Sequence, residues 1–244
     1  MNTRYMTVDE TGNVYVVKAN NSLVRYNENG DSSAFYRSVQ NGEIGAVDAT
    51  NPMRIVVYYP GYSKVVLLDR QLSQKNELDL RKLNIFTSSV VASSADGNLW
   101  VYDQFNARLK KINEQLETIN ESNDIRIEAG KVPSPSFMME RDWKVFLCDT
   151  AKGIFTFDRY GNYVNALPIY GVKYLQVFGS QLLYRHQDTI FSWDMGKISQ
   201  SILIIPAKEH KIISSAIVRN SMYVLYTDRL MIYRIDVSGT PGKK

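Results

Sequence analysis

One two-strand signature returns six times along the 244-residue chain, and it limits the possible folds more than any other feature. Gly12-Asn13-Val14-Tyr15-Val16-Val17 is followed by Leu23-Val24-Arg25-Tyr26-Asn27. Gly97-Asn98-Leu99-Trp100-Val101-Tyr102 precedes Leu109-Lys110-Lys111-Ile112-Asn113, and Trp143-Lys144-Val145-Phe146-Leu147-Cys148 precedes Gly153-Ile154-Phe155-Thr156-Phe157-Asp158. Copies with weaker turns start at Arg54, Gln181 and Ser221. Each copy is an apolar strand, a short polar link, a second strand and an Asn or Asp stop. The stops are Asn27, Asp69, Asn113, Asp158, Asp194 and Asp236, spaced 42, 44, 45, 36 and 42 residues apart. That spacing is the period of a four-stranded sheet module repeated around an axis.

Two further strands complete each unit. A run of small and β-branched residues precedes each pair, as in Ser89-Val90-Val91-Ala92 and Ser215-Ala216-Ile217-Val218, and suits a crowded inner strand. A more polar run follows five of the pairs, as in Lys75-Asn76-Glu77-Leu78 and Leu116-Glu117-Thr118-Ile119, and suits a solvent-facing outer strand. The fold class is therefore all-β, a β-propeller of about six four-stranded blades whose last blade is incomplete. One domain is expected over residues 1–237, with a flexible tail over 238–244. Because the chain starts on an inner strand, about ten residues, and with them a signal peptide, are expected to have preceded Met1. The competing reading is an open ring with a three-stranded last blade. Only residues 44–49 and 79–86 could hold a turn of helix.

Composition narrows the function classes. An apolar fraction of 44% and a charged fraction of 22% are those of a folded globular chain. No apolar run approaches the roughly 20 residues that span a bilayer, so no membrane insertion is expected. The net charge of +4 is mild, and Lys and Arg are scattered, so a nucleic-acid partner is not expected. The 16 tyrosines suit half-buried sheet surfaces, and equally the centre of a binding face. The lone Cys148, inside an apolar run, reads as a small core residue, and with one cysteine no intrachain disulfide can form.

The search for chemistry returns little. His186 and His210 have no metal-ligand spacing partner, and both read as loop residues. Nucleophile-elbow, phosphate-loop and calcium-loop patterns do not occur. No cofactor is expected. Asp69, Asp103, Asp149, Asp158 and Asp194 end strands at similar places, where Asp is a turn former. The alternative reading makes them channel carboxylates of a carbohydrate- or lactone-acting hydrolase.

Binding is the better-supported class. Two connections exceed what a blade needs, residues 79–88 and 120–136, and both join an outer strand to the next inner strand, so they decorate one face. Leu80, Leu83, Ile85 and Phe86 are spaced like one face of a helical turn beside Arg81 and Lys82. They read either as a cap on the core or as a partner-binding patch. Ile125 and Arg126 of the second connection, and Tyr58, Tyr59 and Tyr62 around Pro60-Gly61, extend the candidate surface. The expected partner is another protein.

The stretches Asn51-Pro52-Met53-Arg54-Ile55-Val56-Val57-Tyr58-Tyr59, Val65-Val66-Leu67-Leu68-Asp69-Arg70 and Leu78-Asp79-Leu80-Arg81-Lys82-Leu83-Asn84-Ile85-Phe86 resemble a family of small exported β-propellers from Bacteroidota. Leu99-Trp100-Val101-Tyr102-Asp103 and Gly153-Ile154-Phe155-Thr156-Phe157-Asp158 fit the same family, and the resemblance runs from about Gly12 to Asp194. It implies a cell-envelope protein that sits at the periplasmic mouth of the large outer-membrane barrel of type IX secretion and closes it sterically. It brings no catalytic residue with it. A visible signal peptide, which that family would carry, is absent from the start of this chain.

Overall fold

The computed structural model describes residues 3–186, 189–204 and 211–235. The tail, Asp236 and His210 lie outside those residues. The first blade is β1 (Thr3–Val8), β2 (Val14–Lys18), β3 (Ser22–Tyr26) and β4 (Ser32–Arg37). The second is β5 (Ala46–Asp48), β6 (Ile55–Tyr59), β7 (Lys64–Leu68) and β8 (Gln74–Asp79). The third is β9 (Ser88–Ser93), β10 (Leu99–Asp103), β11 (Arg108–Ile112) and β12 (Thr118–Glu121). The fourth is β13 (Phe137–Arg141), β14 (Lys144–Asp149), β15 (Gly153–Asp158) and β16 (Tyr163–Leu167). The fifth is β17 (Leu175–Phe178), β18 (Gln181–His186), β19 (Thr189–Asp194) and β20 (Ser199–Ile204). The sixth, three-stranded among the described residues, is β21 (Ile212–Val218), β22 (Ser221–Tyr226) and β23 (Leu230–Arg234). Every neighbouring pair is antiparallel, and each blade is a simple meander.

The second strand of each repeat reads as a continuous apolar run because both of its faces are buried. Side chains alternate across a strand. In β6, Ile55, Val57 and Tyr59 pack toward blade one, and Val56 and Tyr58 toward blade three. In β10, Leu99 and Val101 face blade two, while Trp100 and Tyr102 face blade four. In β14, Val145 and Leu147 face blade three, while Phe146 and Cys148 face blade five. Six apolar clusters result, one at each junction between blades. The last, with Met6, Val14 and Val16 against Tyr223 and Leu225, joins blade six to blade one. The ring thus closes by face packing, with the Ser214 Oγ donating to the Met6 carbonyl across the seam. This is a six-bladed β-propeller.

The Asn and Asp stops are a local device. Asn27, Asp69, Asn113 and Asp158 each accept, through Oδ1, from the backbone N–H groups two and four residues on, at 2.8–3.0 Å. Asp194 accepts from the amides of Gly196 and Lys197. Each closes the turn into the fourth strand.

Three local expectations change. Residues 44–49 hold β5 and no helix, because Val47 and Ala49 are drawn into the junction with blade one. Ile125–Ala129 forms a short helix, α1, inside a connection that reads as loop, with Asp124 as its N-cap and Gly130, φ 65°, as its C-cap. In blade three the outer strand begins at Thr118, because Leu116 takes φ 62° in the turn. The helical option at 79–86 is met by a single 3-10 turn, Leu80–Leu83.

Candidate partner-binding face

A meander fixes which connections share an end of the ring. Turns from first to second and from third to fourth strand lie on one face, here the lower. Turns from second to third strand, and the connections between blades, lie on the other, here the upper. The two long connections therefore share the upper face.

Both use the same clamp. In Asp79-Leu80-Arg81 the Asp79 carboxylate accepts from the Arg81 backbone N–H and from the Arg81 guanidinium, Nε to Oδ1 at 2.8 Å. In Asp124-Ile125-Arg126 the Asp124 carboxylate accepts from the Arg126 N–H and guanidinium in the same way. The Arg81 guanidinium holds the Asp79 carboxyl below its ordinary range, and Arg126 does the same to Asp124. The clamp turns the residue between them inward.

Leu80 and Ile125 are consequently buried, and so are Ile85 and Tyr59. These four belong to the junctions between blades and are not available to a partner, which corrects their place in the candidate surface. Leu80 and Ile85 cap the junction of blades two and three, Ile125 that of blades three and four, and Tyr59 that of blades one and two. Leu83 packs half-buried against the same cluster as Leu80. Tyr58 is also interior, and its hydroxyl donates to the Ser88 carbonyl of the next blade at 2.6 Å. Tyr102 makes the equivalent bond to the Pro133 carbonyl at 3.0 Å. The tyrosine enrichment thus serves mainly the core: nine of the sixteen are buried.

The residues left outside are Arg81, Lys82, Phe86, Tyr62 and Arg126. Phe86 is 64% exposed. Other large side chains that periodicity does not single out join them on the upper face: Phe105 at 81% and Ile127 at 83%, with Val39, Tyr170 and Tyr174. Apolar groups on a rigid face, flanked by cations, have the composition of an interface. On the lower face Trp143 and Tyr160 are exposed too, but the Arg159 guanidinium lies over both rings, at 5.3 and 4.7 Å from their centroids.

The upper face also opens into a cavity of about 740 Å³ where β1, β17 and β21 meet. Arg4, Lys173, Arg185, Lys211 and His186 line it, with Tyr5, Tyr174 and Tyr184. The rings of Tyr5 and Tyr174 stack at 6.1 Å. Burial pushes the Tyr174 hydroxyl up, and the Arg4 and Arg185 cations pull it back. Sequence reasoning missed this site. The one signal in the chain is that its cations all fall at strand ends belonging to the same face.

The five aspartates offered as channel carboxylates are occupied elsewhere. Asp69, Asp158 and Asp194 close lower-face turns. Asp103 caps an upper turn by accepting from Asn106 and pairs with Lys110 at 3.1 Å. Asp149 accepts from Ser134, Ala151 and Lys152 amides. The inner-strand carboxylates are bonded between blades: Asp48 accepts from the Ser93 amide, and Glu140 from Ser94, Ala95 and the Trp100 indole. Among the described residues no three His, Cys, Asp or Glu side chains gather as metal ligands. His186 is exposed at the end of β18, and Cys148 is buried, its thiol pushed up by that burial.

No protein-family model matches the chain, and no curated protein matches it. Solved structures do. Virginiamycin B lyase from Staphylococcus aureus aligns over 97% of this chain and 85% of its own, at 14% identity and a TM-score of 0.62. A streptogramin B lyase aligns over 97% and 84%, at 12% identity and a TM-score of 0.67. The β-propeller domain of Cps50 (Swd1) from Myceliophteria thermophila aligns over 96% of both chains, at 11% identity and a TM-score of 0.63. Likeness at these identities establishes the propeller and nothing of the chemistry.

Proposed function

We propose that this chain is a non-catalytic, protein-binding propeller that docks its upper face on a partner. The observation that carries the reading is the exposure of Phe86, Phe105 and Ile127 on the same end of the ring as both long connections. The blades beneath are bolted together by Tyr58 and Tyr102, so the face is presented as a rigid body. Rigid presentation lowers the ordering cost of association. The fold occurs within protein assemblies: a structure of the mitotic checkpoint complex contains a chain aligning over 94% of this one and 73% of its own, at 14% identity and a TM-score of 0.61. The resemblance to exported Bacteroidota propellers gives the reading its setting, in which the disc closes the periplasmic mouth of the type IX secretion barrel and leaves when cargo enters.

Lysine-reactive crosslinking with mass spectrometry on native envelope fractions tests both levels. The upper face offers the exposed Lys82, Lys131, Lys173 and Lys211, and the lower face the exposed Lys144 and Lys197. Crosslinks from the upper set to a large outer-membrane barrel are expected. Crosslinks confined to Lys144 and Lys197 would overturn the face, and recovery of no outer-membrane barrel would overturn the plug.

A further inference from the structure

The cavity at the seam is built for negative charge. Arg4, Lys173, Arg185 and Lys211 line it, and none of its described lining residues is an Asp or Glu. Arg185 is aimed across blades five and six, with Nη2 donating to the Ile213 carbonyl at 2.9 Å. The Arg4 guanidinium has an acid at 3.5 Å, but Glu43 is almost fully exposed, so water screens that pair. Cations gathered in a concave, partly dry site focus their field on its mouth. Thr3, Tyr5 and Tyr174 also line the cavity, with the Tyr5 hydroxyl closed off from solvent beside the Val47 backbone.

We infer that this cavity receives an acidic segment of the partner protein, whose carboxylates meet Arg4, Lys173 and Lys211. The inference rests on the protein-binding reading for the source of the acid. Its volume falls in the range of sites that enclose a ligand of a few residues. Tyr174, stacked on Tyr5 and in edge contact with Phe137 at 5.5 Å, gives the segment an apolar wall.

The test is fluorescence anisotropy with a labelled (Glu-Gly)₃ peptide amide, compared with (Gln-Gly)₃, at about 50 mM salt where exposed charges are weakly screened. The acidic peptide is expected to bind about tenfold or more tightly than the neutral one. Lys173→Glu with Lys211→Glu should abolish that preference. Both side chains are exposed, so the variant should fold. Equal binding of the two peptides, or undiminished acidic-peptide binding by the charge-reversed protein, would overturn the inference. So would competition by inorganic phosphate at the peptide's own concentration, which would assign the site to a free oxyanion. A native partner still bound by the charge-reversed protein but lost on Phe86→Ser with Phe105→Ser would overturn the cavity's role and leave the docking face standing.

Discussion

Replacing Glu140 by alanine is expected to destabilise the ring by about 3 kcal/mol, and the structure says where that loss resides. Glu140 sits on the inner strand of blade four and is 6% exposed. Its carboxylate accepts from the Ser94 hydroxyl at 2.6 Å, from the Ala95 amide at 3.2 Å and from the indole N–H of Trp100, all in blade three. Bonds to a charged group contribute about 1.5–3 kcal/mol each, and leaving a donor buried and unpaired costs about 1–3 kcal/mol. After truncation the exposed Ala95 can find water, and the buried Ser94 hydroxyl can turn to the Asp96 carboxylate that it also reaches. The Trp100 indole is fully buried and can do neither. Relief from holding a carboxylate in the interior offsets part of the sum. The orphaned indole should therefore dominate, which a double-mutant cycle can isolate. With Trp100→Phe there is no N–H to orphan, so Glu140→Ala in that background should cost about 1–2 kcal/mol less. Equilibrium urea unfolding followed by far-ultraviolet circular dichroism gives each free energy without relying on the tryptophan. Additivity of the two substitutions to within about 0.5 kcal/mol would refute the reasoning.

Three further outcomes are expected. Partial burial raises the Asp96 carboxyl, but the Lys111 ammonium, the Asn98 amide and the Ser94 hydroxyl together outweigh that and bring it to about 2. A lowered carboxyl stabilises the fold above its unfolded value near 3.8 and ceases to do so as the pH falls through about 2. The pair's coupling, measured by an Asp96→Asn and Lys111→Met cycle, should be about 1 kcal/mol near neutrality, discounted because Asp96 is 37% exposed, and should shrink below about pH 4; a pH-independent coupling counts against the assignment. In the first long connection Leu80→Ala should destabilise by about 2–4 kcal/mol and Phe86→Ala by less than about 0.5 kcal/mol, in the same urea assay; comparable losses would return Phe86 to the core. Cys148 should resist a thiol-disulfide reagent in the native protein and react on unfolding, since its thiol is fully buried and pushed up; rapid native-state reaction would contradict its place in the junction of blades four and five.

What was legible in the chain was whatever depends on neighbours in sequence. The six stops announce the blades because each Asn or Asp folds its own turn within four residues. The doubly buried second strands show as unbroken apolar runs for the same local reason. The candidate surface was only half legible. An apolar residue beside a cation reads alike whether it points in or out, and the Asp79 and Asp124 clamps, which turn Leu80 and Ile125 inward, depend on a backbone geometry that spacing does not display. The cavity was not legible at all. Its described walls come from residues 3–5, 171–176, 183–186, 190, 211–217 and 227, and their convergence exists only after the ring has formed.

The seam between blades six and one has a consequence for how the molecule is made. Each blade is assembled from hairpins between adjacent strands, whereas the Ser214 to Met6 bond spans 208 positions. Contacts that enclose so long a chain carry the largest closure entropy and are the last to be rewarded. The cationic hollow lies at that joint, with β1 on one side and β21 on the other. A copy whose seam has not closed therefore lacks the complete hollow, and under the proposed role capture of an acidic ligand would report that the ring has formed.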